Sequence, residues 1–377
     1  MVHPFFRRVG IKPELADYFA SPVPVELKFS RVFSILFPKR RFFDEEVTSW
    51  LDAIANQFHF PSYETKVSQF LIGQVESLFS KLGMYYDMPV NSSVFQFWVY
   101  LTWFYRKLVR KNYKRDDNIF GFMRGFPINY TSVVIMGNDP AKCFPSSGYA
   151  FHGSACASTR HMLELMNNEM GILSDHFQND VWKLTRRDLD GAKGNTNLHG
   201  WIKQGILLLN SAVAYFGEGP IVEAWGIFID FVLAYLSHFK RNMVFIFLGG
   251  IVAEKKNWID EKNHFVMELY HPFVYSSPPT QPLDRKLDWS TVLPFLNANF
   301  YIFQTLGEEA MIDWISVGWY KKGTHYRATS LGRFFDFVMQ CYKVGTAGWG
   351  QVRTGLKVTR NKHGLLLLEK DFKTSCK

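Results

Sequence analysis

The sequence predicts an α/β fold in three layers, with helices on both faces of a central, four-stranded, mostly parallel sheet. Short continuous runs of apolar residues alternate with segments of helical spacing along the middle of the chain. Such runs suit strands that are covered on both faces, and their alternation with helices is typical of a parallel sheet. Several of the runs end in a polar residue, which indicates chemistry at the ends of strands.

The chain is expected to contain three segments. Residues 1–94 have apolar residues at helical spacing in the stretches 43–58 and 63–82, and are predicted to form a mostly helical N-terminal extension. Residues 95–319 carry the α/β pattern. Residues 320–377 form a basic, glycine-punctuated C-terminal extension.

The central segment is predicted to open on an aromatic helix, residues 95–109, which leads into a basic cluster. The cluster contains Arg106, Lys107, Arg110, Lys111, Lys114 and Arg115. Cations at the C-terminus of a helix suit the helix dipole, and the same cluster would also suit contact with nucleic acid. Both interpretations stay open.

The first predicted strand covers residues 133–136 and ends at Gly137. The turn Asn138-Asp139-Pro140 follows, and its proline biases the preceding residue away from helix. The carboxylate of Asp139 is therefore expected just past the carboxyl end of a central strand. Open α/β sheets bind their ligands at this position.

Three further strands are predicted, each with a distinctive end. They are residues 206–209, ending at Asn210; residues 243–248, ending at Gly249-Gly250; and residues 265–269, followed by Tyr270-His271. The helices expected around them are residues 160–170, 224–239, 251–256 and 295–306. Residues 174–196 and 278–292 are predicted loops, because they are polar or rich in glycine and proline.

Three polar strand ends, Asp139, Asn210 and His271, are expected to line one cleft, because parallel strands end along a common edge. Each residue also has a purely structural interpretation. An aspartate is typical of a turn, an asparagine of a cap, and a histidine of an ordinary strand end. Their joint occurrence favours a functional cleft.

The charge of the chain is concentrated at its C-terminus. The formal net charge of the chain is +9. Residues 320–377, with 12 Lys+Arg and 3 Asp+Glu, account for all of it. This extension is a candidate contact for a polyanion, and a charged tail that serves solubility is the alternative. The aromatic fraction of 17% predicts a well-filled core and exposed rings that stack on a partner.

The four cysteines form no CxxC pair and no zinc-ligand spacing with histidine, so we expect a reducing, intracellular compartment and no structural zinc. No signal peptide is visible. The longest apolar stretch, residues 225–236, is short and interrupted by Asp230, so no membrane span is expected.

These motifs resemble those of the family 1 uracil-DNA glycosylases. Residues 200–210, GWIKQGILLLN, are similar almost residue for residue to that family's GWAKQGVLLLN segment. Four more segments match in the family's order: residues 133–140, 247–256, 270–276 and 312–314. The similarity covers approximately residues 100–316. The central segment, residues 95–319, is therefore expected to be the catalytic domain.

The resemblance implies an enzyme that excises uracil from DNA without a metal or a cofactor. Asp139 would orient the attacking water and stabilise the positive sugar, and His271 would support O2 of the leaving uracil. Asn138, Phe151 and Asn210 would contact uracil. Of these, Phe151 would stack on the ring, with a core phenylalanine as its alternative, and Asn210 would pair with O4 and N3.

The resemblance also implies contacts with DNA at Gly249, Gly250 and Ser276. Tyr275 stands where the family has a leucine that wedges into the duplex, and a simple surface tyrosine is the alternative. Lys142 departs from the family pattern and is expected to add a contact with a phosphate.

The proposed chemistry is coherent from the residue types alone. Dissociative cleavage of an N-glycosidic bond builds positive charge on the sugar and negative charge on the base. An anion near the sugar and a donor at the base oxygen stabilise both charges. The base must leave the stack, and an asparagine side chain offers both a donor and an acceptor to the edge of uracil.

The clearest departure from the family lies just after Asp139. Where the family has Gln-Asp-Pro-Tyr-His, this chain has Asn138-Asp139-Pro140-Ala141-Lys142. The family's tyrosine excludes the methyl group of thymine, and Ala141 removes that ring. We therefore expect relaxed discrimination at C5 of uracil, unless Tyr149 or Phe144 fills the gap.

The expected partner is uracil-containing DNA, single- or double-stranded. The protein is expected to be a monomer in the nucleus, or wherever DNA is replicated, with a replication or repair protein bound through its extensions. The divergence suggests a viral or otherwise fast-evolving source. The altered loop and the extensions motivate an alternative, a glycosylase-fold DNA-binding or replication-complex component with weak or no catalysis. A nucleotide hydrolase is disfavoured, because the sequence has no P-loop.

Overall fold

The computed structural model describes eleven stretches of the chain. They are residues 43–56, 66–83, 93–110, 118–138, 147–152, 157–176, 197–212, 220–276, 282–318, 356–360 and 366–370. These residues form two compact units. The helical unit contains the described residues of 1–130, 142–149 and 210–240, and the sheet unit contains those of 131–141, 150–209 and 241–377. The boundaries predicted after residues 94 and 319 were drawn between the family-like segment and its extensions. They remain a prediction.

The strands confirm the predicted α/β class with a central four-stranded sheet. In chain order they are β1 (Val133–Gly137), β2 (Ile206–Asn210), β3 (Val244–Leu248), β4 (Phe265–Leu269), β5 (Leu356–Arg360) and β6 (Leu366–Lys370). The central sheet has the order β2-β1-β3-β4. β3 pairs in parallel with both β1 and β4, and Val244 stands opposite Val133 and Phe265. Every residue of β1, β2 and β3 is buried, as expected for continuous apolar runs.

The helices among the described residues precede, separate and follow the strands of the central sheet along the chain. They are α1 (Glu45–Asn56), α2 (Lys66–Lys81), α3 (Ser93–Arg110), α4 (Ala157–His176), α5 (His199–Ile202), α6 (Pro220–Phe239), α7 (Gly250–Ala253), α8 (Trp289–Val292) and α9 (Pro294–Leu306). A turn of 3-10 helix, Glu254–Trp258, continues α7, and a second one, Pro272–Ser276, follows β4.

Several predicted boundaries were wrong. Residues 174–176 belong to α4 rather than to a loop, because polar residues suit the end of a helix as well as a loop. The predicted loop at 278–292 contains the short helix α8, and the predicted helix at 251–256 is α7 plus a 3-10 turn. The C-terminal extension contains an antiparallel pair, β5 and β6, that the sequence did not indicate. Residues 177–196 lie outside the described residues.

The helical unit has an aromatic core. The ring of Trp225 on α6 lies 5.4–6.1 Å, between centroids, from the rings of Phe104, Phe120, Phe122 and Phe228. Aromatic pairs at these distances contribute more than their buried area alone. The high aromatic content of the sequence is therefore used, in this unit, to fill the interior.

The apolar stretch around Asp230 proved longer than predicted. α6 runs over 20 residues, and by length and composition alone it could cross a membrane, but 78% of the apolar window is buried inside the protein. Asp230 does not interrupt the helix and is itself only 4% exposed.

The buried carboxylate of Asp230 also affects Tyr100. Burial is the larger cause and the charge of Asp230 the smaller cause that raise the pKa of Tyr100 well above its ordinary value.

In the sheet unit, a dense junction joins residues 200–205, just before β2, to residues 312–317. The indole Nε1 of Trp201 donates to the carbonyl of Trp314 at 2.7 Å. The side chain of Gln204 donates to the carbonyl of Asp313 at 3.1 Å and accepts from its amide at 2.8 Å. The amide of Gly200 donates to the carbonyl of Val317 at 2.7 Å. This junction fixes the point at which β2 begins.

Gly200→Ala is expected to destabilise the fold by about 3 kcal/mol, because overpacking against a fixed backbone cannot relax. A Cβ at this position would lie 1.9 Å from the carbonyl oxygen of Ser316. The free energy of unfolding in urea measures the effect. Gly250→Ala is the control, since its Cβ would meet no atom within 4 Å. Equal stability of the two variants would contradict the role given to the junction.

Candidate active site

His271 follows β4 with its ring nitrogen engaged by the backbone. The amide of Phe273 donates to Nδ1 of His271 at 3.3 Å, and the amide of Val274 donates to the His271 carbonyl at 2.9 Å. An Nδ1 that accepts a hydrogen bond leaves the proton of the neutral ring on Nε2. The half-buried imidazole can therefore present an Nε2–H donor without carrying a positive charge.

Gly249 brings three strand ends into contact. It follows β3 with φ of +103°, a conformation that glycine adopts readily, and its amide donates to the carbonyl of Leu269 at 2.8 Å. A Cβ at this position would lie 3.4 Å from Cβ of His271 and 3.6 Å from Nδ2 of Asn138. The ends of β1, β3 and β4 thus place Asn138 and His271 next to the same glycine.

Phe151 is held in a strained conformation. Its φ is +59°, in the left-handed region that costs a residue with a side chain roughly 1–3 kcal/mol. Two hydrogen bonds keep it there: the hydroxyl of Thr159 donates to the Phe151 carbonyl at 2.6 Å, and the amide of Ala150 donates to the carbonyl of Leu208 at 3.1 Å. Thr159 is fully buried. No pattern in the sequence indicates this role of Thr159.

The ring of Phe151 packs between the end of β1 and His271. Its centroid lies 5.9 Å from that of the His271 ring, with the planes inclined by 37°. A Cβ on Gly137 would lie only 2.6 Å from Cζ of Phe151, so the close approach requires glycine. The ring remains half-buried, which leaves part of it accessible to a flat ligand.

His152 directly follows Phe151 in the chain. Burial lowers the pKa of His152 below its ordinary value, and a hydrogen bond to Asn197 opposes this effect. The Nε2 atom of His152 and Oδ1 of Asn197 are 3.2 Å apart. This contact gives His152 a structural partner in Asn197. No group of three or more His, Cys, Asp or Glu side chains among the described residues could hold a metal ion.

Tyr275 is anchored by its hydroxyl. The phenol donates to Oδ1 of Asp288 at 2.8 Å and accepts from the amide of Trp289 at 3.1 Å. Burial, together with the nearby Asp288 carboxylate, holds the pKa of Tyr275 well above its usual range. Tyr275 therefore anchors the turn Pro272–Ser276 to Asp288 and Trp289. The predicted contacts of Tyr275 and of the exposed Ser276 with DNA stay predictions.

The remaining predicted site residues are placed as follows. Asn210 is the last residue of β2, the strand beside β1, and is 8% exposed; it falls in the helical unit. Gly250 is exposed at the start of α7. The predicted catalytic Asp139, together with Ala141 and Lys142, lies outside the described residues. The structure thus brings together Asn138, Phe151, Gly249 and His271.

Comparison with known proteins identifies the family of this chain. A uracil-DNA glycosylase of Sulfurimonas denitrificans is 30% identical over 169 residues, which cover 44% of this chain and 70% of that protein. The chain belongs to the uracil-DNA glycosylase family. A second uracil-DNA glycosylase, from Lactococcus lactis subsp. cremoris, is 25% identical over 211 residues, covering 54% of this chain and 84% of the relative. No family model matches the chain.

Among solved structures, this uracil-DNA glycosylase family member aligns with the mimivirus uracil-DNA glycosylase. The alignment has 18% identity and a TM-score of 0.34, and it covers 57% of this chain and 74% of the other. The family assignment rests on the similarity in sequence.

Gly137→Ala is expected to displace the Phe151 ring, because two carbon atoms cannot approach to 2.6 Å. Nuclear Overhauser effects between the ring protons of Phe151 and His271 should weaken, and stability should fall by about 1–3 kcal/mol. The control is again Gly250→Ala, which should leave these signals unchanged. An undisturbed Phe151–His271 contact in Gly137→Ala would show that the ring does not depend on this glycine.

Proposed function

We propose that this chain is a uracil-DNA glycosylase, which flips uracil out of DNA and hydrolyses its N-glycosidic bond as the first step of base excision repair. The observation that carries the proposal is the cluster around Gly249 in a chain of this family. There, the side-chain amide of Asn138 and Cβ of His271 both lie next to Gly249, and the Phe151 ring adjoins the ring of that histidine. A flat base with oxygen acceptors on its edge suits these groups.

On the base side, bond cleavage transfers the bonding electron pair to uracil, so that negative charge develops on its O2. A donor already aimed at that oxygen stabilises the charge without reorganisation. His271 serves as this donor in the proposal, because its Nδ1 accepts the amide of Phe273 and its proton lies on Nε2. A neutral donor also spares the site the cost of burying a positive charge.

On the sugar side, cleavage leaves a positive charge near C1′. In the proposal the carboxylate of Asp139 stabilises this charge and orients the water that attacks C1′. The water oxygen forms the new bond to C1′, and the proton that it loses passes to the carboxylate of Asp139. The products are an abasic site and the uracil anion; Asp139 then releases its proton to the solvent, and the anion takes up a proton from the solvent. Asp139 directly follows Asn138, and so lies in sequence next to the described cluster.

Recognition of the base is assigned to three side chains. Phe151 stacks on the ring, and its two supporting hydrogen bonds form the platform before the substrate arrives. Asn210 reads O4 and N3, with an amide that offers both donor and acceptor. Asn138 adds a further polar contact beside Gly249.

Binding to the DNA backbone is assigned to the rim of the site and to the C-terminal extension. Gly249 and Gly250 allow a phosphate to approach the backbone, and Lys142, Tyr275 and Ser276 contribute side chains. Residues 320–377, with a net charge of +9, add affinity that falls as salt rises. We further propose a monomer that acts wherever DNA is replicated, in the nucleus of a nucleated cell, with extensions that bind a replication or repair protein.

Excision of uracil from an oligonucleotide, followed by alkaline strand cleavage, tests the proposed function. The wild type should break the strand at uracil, and Asp139→Asn should lower kcat by about 10²–10⁴-fold, since it removes the anion that stabilises the sugar. Binding of both proteins to the same oligonucleotide is the control for folding. Tight binding without any strand break in the wild type would favour the alternative, a DNA-binding protein of the glycosylase fold without catalysis.

The substrate range is the finer part of the proposal. Ala141 lacks the ring that in the family excludes the methyl group of thymine, so we propose relaxed discrimination at C5. Tyr149, which could compensate, lies in the helical unit, and burial raises the pKa of its phenol to about 12, which keeps it neutral. Phe144 lies outside the described residues.

Thymine excision from a single-stranded oligonucleotide should be measurable with the wild type. Ala141→Tyr should suppress it by about tenfold or more while retaining uracil excision, because the restored ring would clash with a 5-methyl group. Ala141→Ser, which adds little volume, is the matched control. Thymine left intact at high enzyme concentration would refute relaxed discrimination while leaving uracil excision as proposed.

A further inference from the structure

The aromatic platform, Phe151, is held by its neighbour in the chain as well as by its own backbone. Its φ of +59° costs free energy in a residue with a side chain, so it persists only where the surrounding contacts fix it. Two backbone hydrogen bonds do so, from the hydroxyl of Thr159 and through the amide of Ala150. The side chain of His152 makes a third contact, to Asn197. The chemistry proposed for the site does not use this third contact.

The contact between His152 and Asn197 has a defined direction. Oδ1 of Asn197 accepts a hydrogen bond from the amide of His199 at 3.0 Å, so this atom acts as an acceptor. Nε2 of His152 lies 3.2 Å from the same oxygen and must therefore donate to it. The neutral ring of His152 thus carries its proton on Nε2, and its Nδ1 atom is buried.

Asn197 belongs to a well-fixed stretch of the sheet unit. It lies two residues before α5, whose backbone is bonded to residues 312–317. The amide of Ala150 is bonded to β2, which follows α5 in the chain. The contacts of Ala150 and His152 therefore bracket Phe151 and attach it at two points of this stretch. A change in the φ of Phe151 would strain one of the two contacts.

We propose that His152 and Asn197 are positioning residues, whose hydrogen bond holds Phe151 in its left-handed conformation and thereby sets the affinity of the site for the flipped uracil. The ligand in this inference rests on the proposed function, whereas the effect on Phe151 does not. A ring that is held in place before the base arrives loses little freedom on binding, and so it binds more tightly than a mobile ring. The two residues act through Phe151 without touching the base.

The protonation state of His152 supplies a signature of this role. Burial lowers the pKa of His152, the hydrogen bond to Asn197 opposes this effect, and the charge of His199 on α5 adds to it. Protonation would place a positive charge and a second donor, on the buried Nδ1, directly beside Phe151. The affinity for the base should therefore be complete above the lowered pKa of His152 and should fall as the pH drops through it.

Binding of free uracil, followed by the chemical shifts of the Phe151 ring protons, measures the affinity without any chemistry. His152→Ala should raise the Kd for uracil by about fivefold, the effect of one hydrogen bond. Asn197→Ala should raise it by the same factor. The double variant should lose no more than either single variant, because both remove one contact. A loss of about 25-fold in the double variant, the product of two independent effects, would overturn the proposal.

His152→Gln is the conservative variant, because its side-chain amide can donate to Oδ1 of Asn197. It should bind uracil within about twofold of the wild type, and its Kd should lack the rise at low pH that is due to His152. Titration of His271 is common to both proteins and cancels from the comparison. A glutamine variant as weak as His152→Ala would contradict the role of the hydrogen bond. The matched control is His161→Ala, which removes another half-buried histidine of the sheet unit, one that contacts Glu164 in its own helix.

Hydrogen exchange of the Ala150 amide measures the platform in the absence of any ligand. The bond of this amide to Leu208 must open before exchange, and it opens when residues 150–152 move. Exchange should be about fivefold faster in His152→Ala than in the wild type, and unchanged in His161→Ala. The amides of β3 are the reference. Equal acceleration in β3 would show a global loss of stability and would overturn the positioning role.

The outcomes separate this inference from the proposed function. If the wild type excises uracil but His152→Ala keeps both the wild-type Kd and the wild-type exchange rate, the positioning role is overturned and the function stands. If exchange at Ala150 depends on His152 but the wild type neither binds nor excises uracil, the effect on Phe151 stands and the function fails. Faster exchange with an unchanged Kd overturns the link to affinity. If His152→Ala does not fold, Asn197→Ala carries the same comparisons, since Asn197 is exposed.

Discussion

Parallel pairing of β1, β3 and β4 is the constraint on which the candidate site depends. Because these three strands are parallel, all three end at the same edge of the sheet. The residues that follow them are therefore neighbours, although they are far apart in sequence. The register matters as much as the direction, because a slip of one residue would turn each strand's side chains to the opposite face. Glycine at 137 and 249 then allows the strand ends to approach closely enough for their neighbours to touch.

The first part of the motif that most resembles the family has a structural role. The side chains of Trp201 and Gln204 and the amide of Gly200 form hydrogen bonds with the backbone of residues 312–317, and Gly200 leaves no room for a side chain. A side chain that satisfies both the amide and the carbonyl of one partner residue tolerates few replacements. In this chain the two matching segments are thus bonded to each other, although they are separated by more than a hundred positions.

The sequence predicted the four strands of the central sheet, because apolar runs bounded by glycine or polar residues carry a strong local signal, but β5 and β6 were not predicted. It also predicted which residues stand at the strand ends, including His271 and Asn138. The positive φ of Phe151, its support by Thr159 and the anchoring of Tyr275 by Asp288 were not predictable. These depend on contacts between residues separated by eight to thirteen positions across turns, where no periodic pattern exists.

The anchoring of the turn Pro272–Ser276 has a mechanical consequence for the substrate. A turn tied to His271 at one end and to Asp288 at the other resists a change of shape, so in the proposed complex the duplex would deform more than the turn. The energy of that deformation depends on local stacking, which is softest at pyrimidine–purine steps and stiffest in A-tracts. In that complex the protein would respond to the flexibility of DNA, and it would prefer certain sequence contexts without contacting the neighbouring bases.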